Sequence, residues 1–103
     1  MLDLATLAEE VMGYVSDISE AMDQEGAHIY TNYQKVVAYS LRLTEIRNQI
    51  ALLEITGNAD NELRRFRTMI IDPTIEEFKK IQSYESRKIT AMQLEYNLAE
   101  KGT

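Results

Sequence analysis

The chain has 103 residues, a length that fits one domain and can shelter only a modest core. Hydrophobic residues make up 45% and charged residues 27%, which excludes a disordered chain, and the absence of cysteine excludes a disulfide framework or a thiolate metal site. The net charge of −6 is uneven: residues 1–34 hold seven acids and no Lys or Arg, while the remainder holds 11 basic and 10 acidic residues.

One proline and four glycines leave few places to break the chain, so a few long helices are expected. The first spans about 3–22. Leu4, Leu7, Val11, Tyr14, Ile18 and Ala21 recur at steps of three and four and form one stripe, widened by Ala8, Val15 and Met22. Asp3 stands at the N-cap, and Gly13 could let another helix approach closely. The opening MLDLATLAEEVMGY lacks a basic region and does not read as a signal peptide.

Asp23-Gln24-Glu25-Gly26 marks the first break. The second helix spans about 27–56. Ile29, Val36, Tyr39, Leu43, Ile46, Ile50 and Leu53 keep a seven-residue repeat with a gap at Asn32. Tyr33, Val37, Leu41, Leu52 and Ile55 add apolar surface beside that seam, so this helix needs two neighbours. At 1.5 Å per residue it is a rod of roughly 42 Å, long against the ~13 Å radius of gyration of a compact 100-residue globule.

Gly57-Asn58-Ala59-Asp60 is the clearest break, with Gly57 ending one helix and Asp60 or Asn61 capping the next. A short helix spans about 61–71, with Leu63, Phe66 and Ile70 on one side. Asp72-Pro73-Thr74-Ile75-Glu76-Glu77 then reads as a fresh helix start, so the short helix should stop or kink there. The last helix spans about 73–99, with Ile75, Phe78, Ile81, Ile89, Met92 and Tyr96 on its apolar side. Its middle interrupts that side. Gln82 or Glu85 must lie near the seam or face water, and burial would require a hydrogen-bonding partner or serve to fix register. The expected fold class is therefore all-α: an elongated hairpin or bundle of three to four helices, two of them long, completed by oligomerisation.

Catalytic chemistry has little foothold. His28 is the only histidine, and Glu25-Gly26-Ala27-His28 matches the Glu-x-x-His spacing of di-metal helical bundles. That motif occurs once and straddles a glycine, so a metal enzyme would have to be assembled across two chains with Glu9 or Glu10 as further ligands. Neither a nucleophile with a base nor a glycine-rich phosphate loop occurs. No cofactor and no small-molecule substrate is expected.

Two surfaces stand out instead. Leu4, Leu7, Val11, Tyr14, Ile18, Tyr33, Val37, Leu41, Leu52 and Ile55 are the interface candidates, with six tyrosines adding amphipathic surface. Arg64, Arg65 and Arg67 form the densest basic cluster, which Lys79, Lys80, Arg87 and Lys88 extend. It is suited to phosphate or, more commonly, to ion pairing with the acidic first helix. The acidic balance argues against autonomous DNA binding.

Ile55-Thr56-Gly57, Leu63, Asp72-Pro73-Thr74-Ile75, Glu77-Phe78 and Gln82 resemble small helical proteins of Gram-positive bacteria that regulate competence and biofilm formation. The resemblance covers residues 55–82 only, and its pattern is one that helical hairpins share generally. It implies a self-associating helical adaptor.

The reading is thus a non-enzymatic, self-associating cytoplasmic protein, an adaptor, chaperone or assembly module whose partners are its own copies and another protein. Two further readings stand beside it. One is a small phage or mobile-element protein, either a DNA-packaging subunit or an acidic inhibitor of host machinery. The other is the metal-dependent bundle enzyme around Glu25 and His28.

Overall fold

The computed structural model describes residues 2–24 and 29–101, and the Glu25–His28 motif lies outside the described residues. Four α-helices follow in order: α1 Leu4–Asp23, α2 Ile29–Ile55, α3 Asn61–Phe66 and α4 Asp72–Lys101. A π-helical turn, Arg67–Ile71, joins α3 to α4 without a break. No strand occurs among the described residues. The architecture is all-α and elongated, measuring 64 × 24 × 19 Å with a radius of gyration of 17.6 Å.

Local rules set the ends. The Asp3 carboxylate accepts from the Ala5 amide at 3.3 Å and the Thr6 hydroxyl at 2.6 Å, satisfying a free donor of the α1 start. Gly57 takes φ +76, the left-handed conformation that ends α2. The Asn58 amide then donates to the Leu53 carbonyl at 2.8 Å, and the Gly57 amide to Glu54 at 3.2 Å. Those are the two bonds of a Schellman motif. Three residues on, the Asp60 carboxylate accepts from the Leu63 amide at 2.8 Å and starts α3.

Of the stop or kink that the local signals allow at Asp72-Pro73, the helix does not stop; a π turn interrupts its regular bonding instead. The Asp72 amide donates to the Arg67 carbonyl, five residues back rather than four. This wider turn makes room ahead of a proline ring that lacks an N–H and crowds the preceding turn. The Asp72 side chain does not cap; it accepts from Arg67 Nη1 at 3.0 Å. The result is a rod from Asn61 to Lys101, whose 41 residues span about 60 Å at 1.5 Å each.

The core sits along α2. Leu43, Ile46 and Ile50 of α2 are fully buried with Ile71 of the π turn and Ile75 of α4. Leu7, Val11 and Ile18 of α1, Val36, Phe66 and Phe78 complete the cluster. Each such side chain contributes ~1.5–3 kcal/mol on burial. Both α1 and α4 run antiparallel to α2: Glu10 meets Arg42 and Asp17 meets Tyr39, while Glu54 meets Arg67 and Tyr30 lies beside Tyr96. The second apolar flank of α2 is covered only in part: Tyr33 and Val37 are half-buried, whereas Leu41, Leu52 and Ile55 are exposed. The gap at Asn32 also has a local reason. Its amide donates to the Ala21 carbonyl at 3.4 Å, near the end of α1.

Gly13 serves no close approach: a Cβ there would meet nothing within 4 Å.

Candidate functional site

Because α1 and α4 both lie on α2 and run parallel to one another, a furrow opens between them. It is an apolar groove of about 540 Å³. Val15, Ile18 and Met22 form the α1 wall, and Ile70, Pro73, Phe78 and Ile81 the opposite wall, with Met69 at one end. Ser19, Asp23, Thr74 and Glu77 supply its polar groups, and neither Lys nor Arg lines it. Val15, Met69 and Ile70 are exposed.

Toward its end α4 runs past Tyr30 of α2, which lies beside Met92 and Tyr96. Residues 90–101 are all exposed. Met92, Tyr96 and half-buried Ile89 prolong the side of α4 that packs on α2 lower down, while Ala91, Leu94 and Leu98 form a second apolar line on the other side. Leu94 is 58% and Leu98 62% exposed. Ile89, Met92 and Tyr96 belong to the apolar side that spacing predicts; Ala91, Leu94 and Leu98, also spaced by three and four, are an addition to it.

The interface candidates separate into two groups. Leu7, Val11 and Ile18 lie in the chain's own core, and Leu4, Tyr14, Tyr33 and Val37 are half-buried. Leu41, Leu52 and Ile55 are exposed and share the outer line of α2, opposite its buried stripe.

A polar ladder ties α1 to α2. The rings of Tyr14 and Tyr39 stack with centroids 4.3 Å apart. The Tyr14 hydroxyl donates to Glu10 and the Tyr39 hydroxyl to Asp17. Arg42 grips Glu10 through Nε at 2.6 Å and Nη2 at 3.2 Å, and Lys35 lies 3.5 Å from Asp17. The Arg42 hydrogen bond holds the Glu10 carboxyl below its ordinary pKa, and the Tyr39 hydroxyl does the same for Asp17. Tyr39 is pushed up to about 12, chiefly by its bond to the Asp17 carboxylate. Burial, then Glu10, raises Tyr14. Two acids of α1 are thus occupied within the chain. Stacked, hydrogen-bonded rings between paired ions hold helices together and offer no open reacting position.

The basic cluster is similarly divided. Arg67 holds Glu54 through Nε at 2.7 Å and Nη2 at 3.0 Å, with Nη1 on Asp72. Arg64 and Arg65 point to solvent. Lys80 pairs with Glu77 at 3.2 Å, and the Arg87 Nε donates to the Ser83 carbonyl at 3.2 Å.

Glu85 is buried at 3% exposure, and its Oε1 has no hydrogen-bonding partner. It lines a small cavity where Ala21, Met22, Ile29 and Asn32 meet α4 beside Lys88. Burial raises its pKa.

Among the described residues no cluster of three potential ligands could hold a metal ion, and no helix is long and apolar enough to cross a membrane. Comparison with protein-family models, curated proteins and solved structures returns no match. The groove and the projecting helix end therefore carry the functional reading on their own chemistry.

Proposed function

We propose that this chain is a non-enzymatic helical module of the cytoplasm that self-associates and acts by binding protein, as an adaptor, chaperone or assembly piece. The observation that carries the reading is the end of α4, where residues 90–101 stand exposed with apolar side chains on two sides. Exposed apolar surface gathered on one element marks an interaction site more often than ordinary surface. The uncovered groove between α1 and α4 adds to this support.

The test is the mass of the purified chain by light scattering across micromolar concentrations. A multiple of 11.9 kDa is expected. A particle that stays at the single-chain mass overturns self-association.

A further inference from the structure

Carboxylates between the helices of this chain come with partners. Glu10 holds Arg42, Asp17 lies by Lys35, and Glu54 and Asp72 share Arg67. Glu85 departs from that pattern. It is buried, its Oε1 has no hydrogen-bonding partner, and among the described residues no ion pair includes it.

Its surroundings are tight and mostly apolar. Ala21 and Met22 of the last turn of α1, Ile29 and Asn32 of the first turn of α2, and Tyr84 and Lys88 of α4 enclose a cavity of about 20 Å³. That is room for about one water, whereas an ionised carboxylate has about four acceptor sites to satisfy. Among the described residues the titratable groups that face it come from α4: Tyr84, and Lys88 with its Nζ 4.9 Å from the Tyr84 ring centroid. Asn32 from α2 is neutral, and its Nδ2 donates to the Ala21 carbonyl. Ala21 and Met22 from α1 do not titrate. Such a site accommodates the neutral acid and penalises the anion, which must reach water.

The weakest wall is the last turn of α1. As far as Asp17, α1 is fastened to α2 by the stacked tyrosines and their ion pairs. Beyond Asp17, the one α1–α2 hydrogen bond among the described residues is the 3.4 Å contact from Asn32 to Ala21. The α2–α4 wall is closed by Leu43, Ile46, Ile50, Ile71 and Ile75, all fully buried. Local opening takes the route that gives up the fewest contacts.

We propose that the last turn of α1 is a proton-controlled lid over Glu85, shut on the neutral carboxylic acid and swung off when the acid ionises and its proton passes to bulk water. Burial places this change above the ordinary carboxyl range of about 4.3. Met22 lines both this cavity and the α1/α4 groove, so the open lid also widens the groove at its Asp23 end. A single chain contains every part of the device, which therefore does not depend on self-association.

Solvent access to methyl groups reads the lid. A neutral, soluble paramagnetic agent is added to the full chain, and relaxation of the Met22 ε-methyl and the Ile29 δ-methyl is followed from about pH 4.5 to about pH 7.5. Ile50 serves as the fully buried reference. Relaxation at Met22 and Ile29 should rise several-fold along one titration curve while Ile50 stays unchanged, and Glu85→Gln should hold the low acid-end value throughout. His28 precedes Ile29 in the sequence and its ordinary pKa falls in the same range, so His28→Gln is measured as well and should keep the parent's rise. Carbon-13 titration of the Glu85 carboxyl in the parent chain, which needs no variant, should share the midpoint of the methyl curve. A Glu85 carboxyl that titrates at its ordinary value overturns the lid. So does relaxation that is equal at both ends of the range, a rise that persists in Glu85→Gln or vanishes in His28→Gln, or a rise shared by Ile50, which would mean loosening of the whole fold.

Discussion

Tyr14 lies stacked on Tyr39, 4.3 Å between centroids and 18° between planes, and each hydroxyl donates to a carboxylate of α1. The pair fastens α1 to α2.

Alkaline unfolding should report this fastening. The folded pKa of Tyr39 is raised, to about 12, above the ordinary value of about 10. A raised folded pKa contributes stability that is complete below about pH 10 and is lost as the pH climbs through 12. Ultraviolet titration of the phenolates should show a late-ionising tyrosine that disappears in Tyr39→Phe. The variant's stability should change less than the parent's between pH 10 and 12. Identical titration curves for the two proteins would remove the Asp17 bond from the account.

Two glycines should respond in opposite directions to alanine. Gly13 sits inside α1, and a Cβ there meets open space, so Gly13→Ala should stabilise the chain by about 1 kcal/mol. Gly57 holds φ +76, so Gly57→Ala should cost about 1–2 kcal/mol although its surroundings are equally empty. Urea unfolding midpoints with unchanged slopes would measure both.

The Arg67 fork should not tolerate lysine. Its guanidinium spans two carboxylates on separate elements, Glu54 near the end of α2 and Asp72 at the start of α4, which an ammonium cannot reproduce. Arg67→Lys should lose about 1–2 kcal/mol, since hydrogen bonds between charged groups are the strong ones. Chemical denaturation at moderate salt is the measurement. An unchanged midpoint would mean that solvent screens the pairs entirely.

How far these features were legible depended on how local their causes are. The Asp3 and Asp60 caps and the Gly57 stop are settled within a few residues, and the stripes of α1 and α2 follow from spacing alone. Asp72-Pro73 was legible in part, since a stop or a kink was expected there and a π turn, Arg67–Ile71, stands just ahead of it. Its local chemistry says helix start, yet burying Ile71 and Ile75 against α2 carries the helix through, and a π turn accommodates the ring. Gly13 invited a close contact that only the packing of α1 could refuse. The groove belongs to no single segment: Val15 and Met22 come from one stripe and Ile70 and Ile81 from another, and their meeting depends on how α1 and α4 lie across α2. The Leu94–Leu98 line was readable in principle, but a helix with apolar residues on two sides looks ordinary until one learns that nothing described lies beside it.

Glu85 poses the sharpest question of pH. It is buried with Oε1 unpartnered, and desolvation raises its folded pKa. A raised carboxyl pKa favours the fold fully below its unfolded value of about 4.3, and that contribution is lost as the pH rises through the folded value. Glu10 and Asp17 act with the opposite sign: their lowered values contribute above the unfolded range, and the contribution is lost as the pH falls through the folded values. The parent's acid profile is therefore a partial cancellation. Glu85→Gln removes one side of it. The variant should gain stability at pH 7 relative to the parent, and the gain should shrink towards zero below pH 4, where the parent's own carboxyl carries a proton. Glu85→Leu removes the buried polar atoms altogether and should stabilise by about 1–3 kcal/mol at neutral pH. If Glu85 also fixes the register of α4 against its neighbours, Glu85→Leu should broaden the distribution of oligomer masses while melting higher. Thermal scans from pH 3 to 8, run beside light scattering, separate those two effects. A Glu85→Gln chain less stable than the parent at pH 7 would mean that the carboxylate is satisfied by a group acting on it in solution, and the desolvation argument would fail.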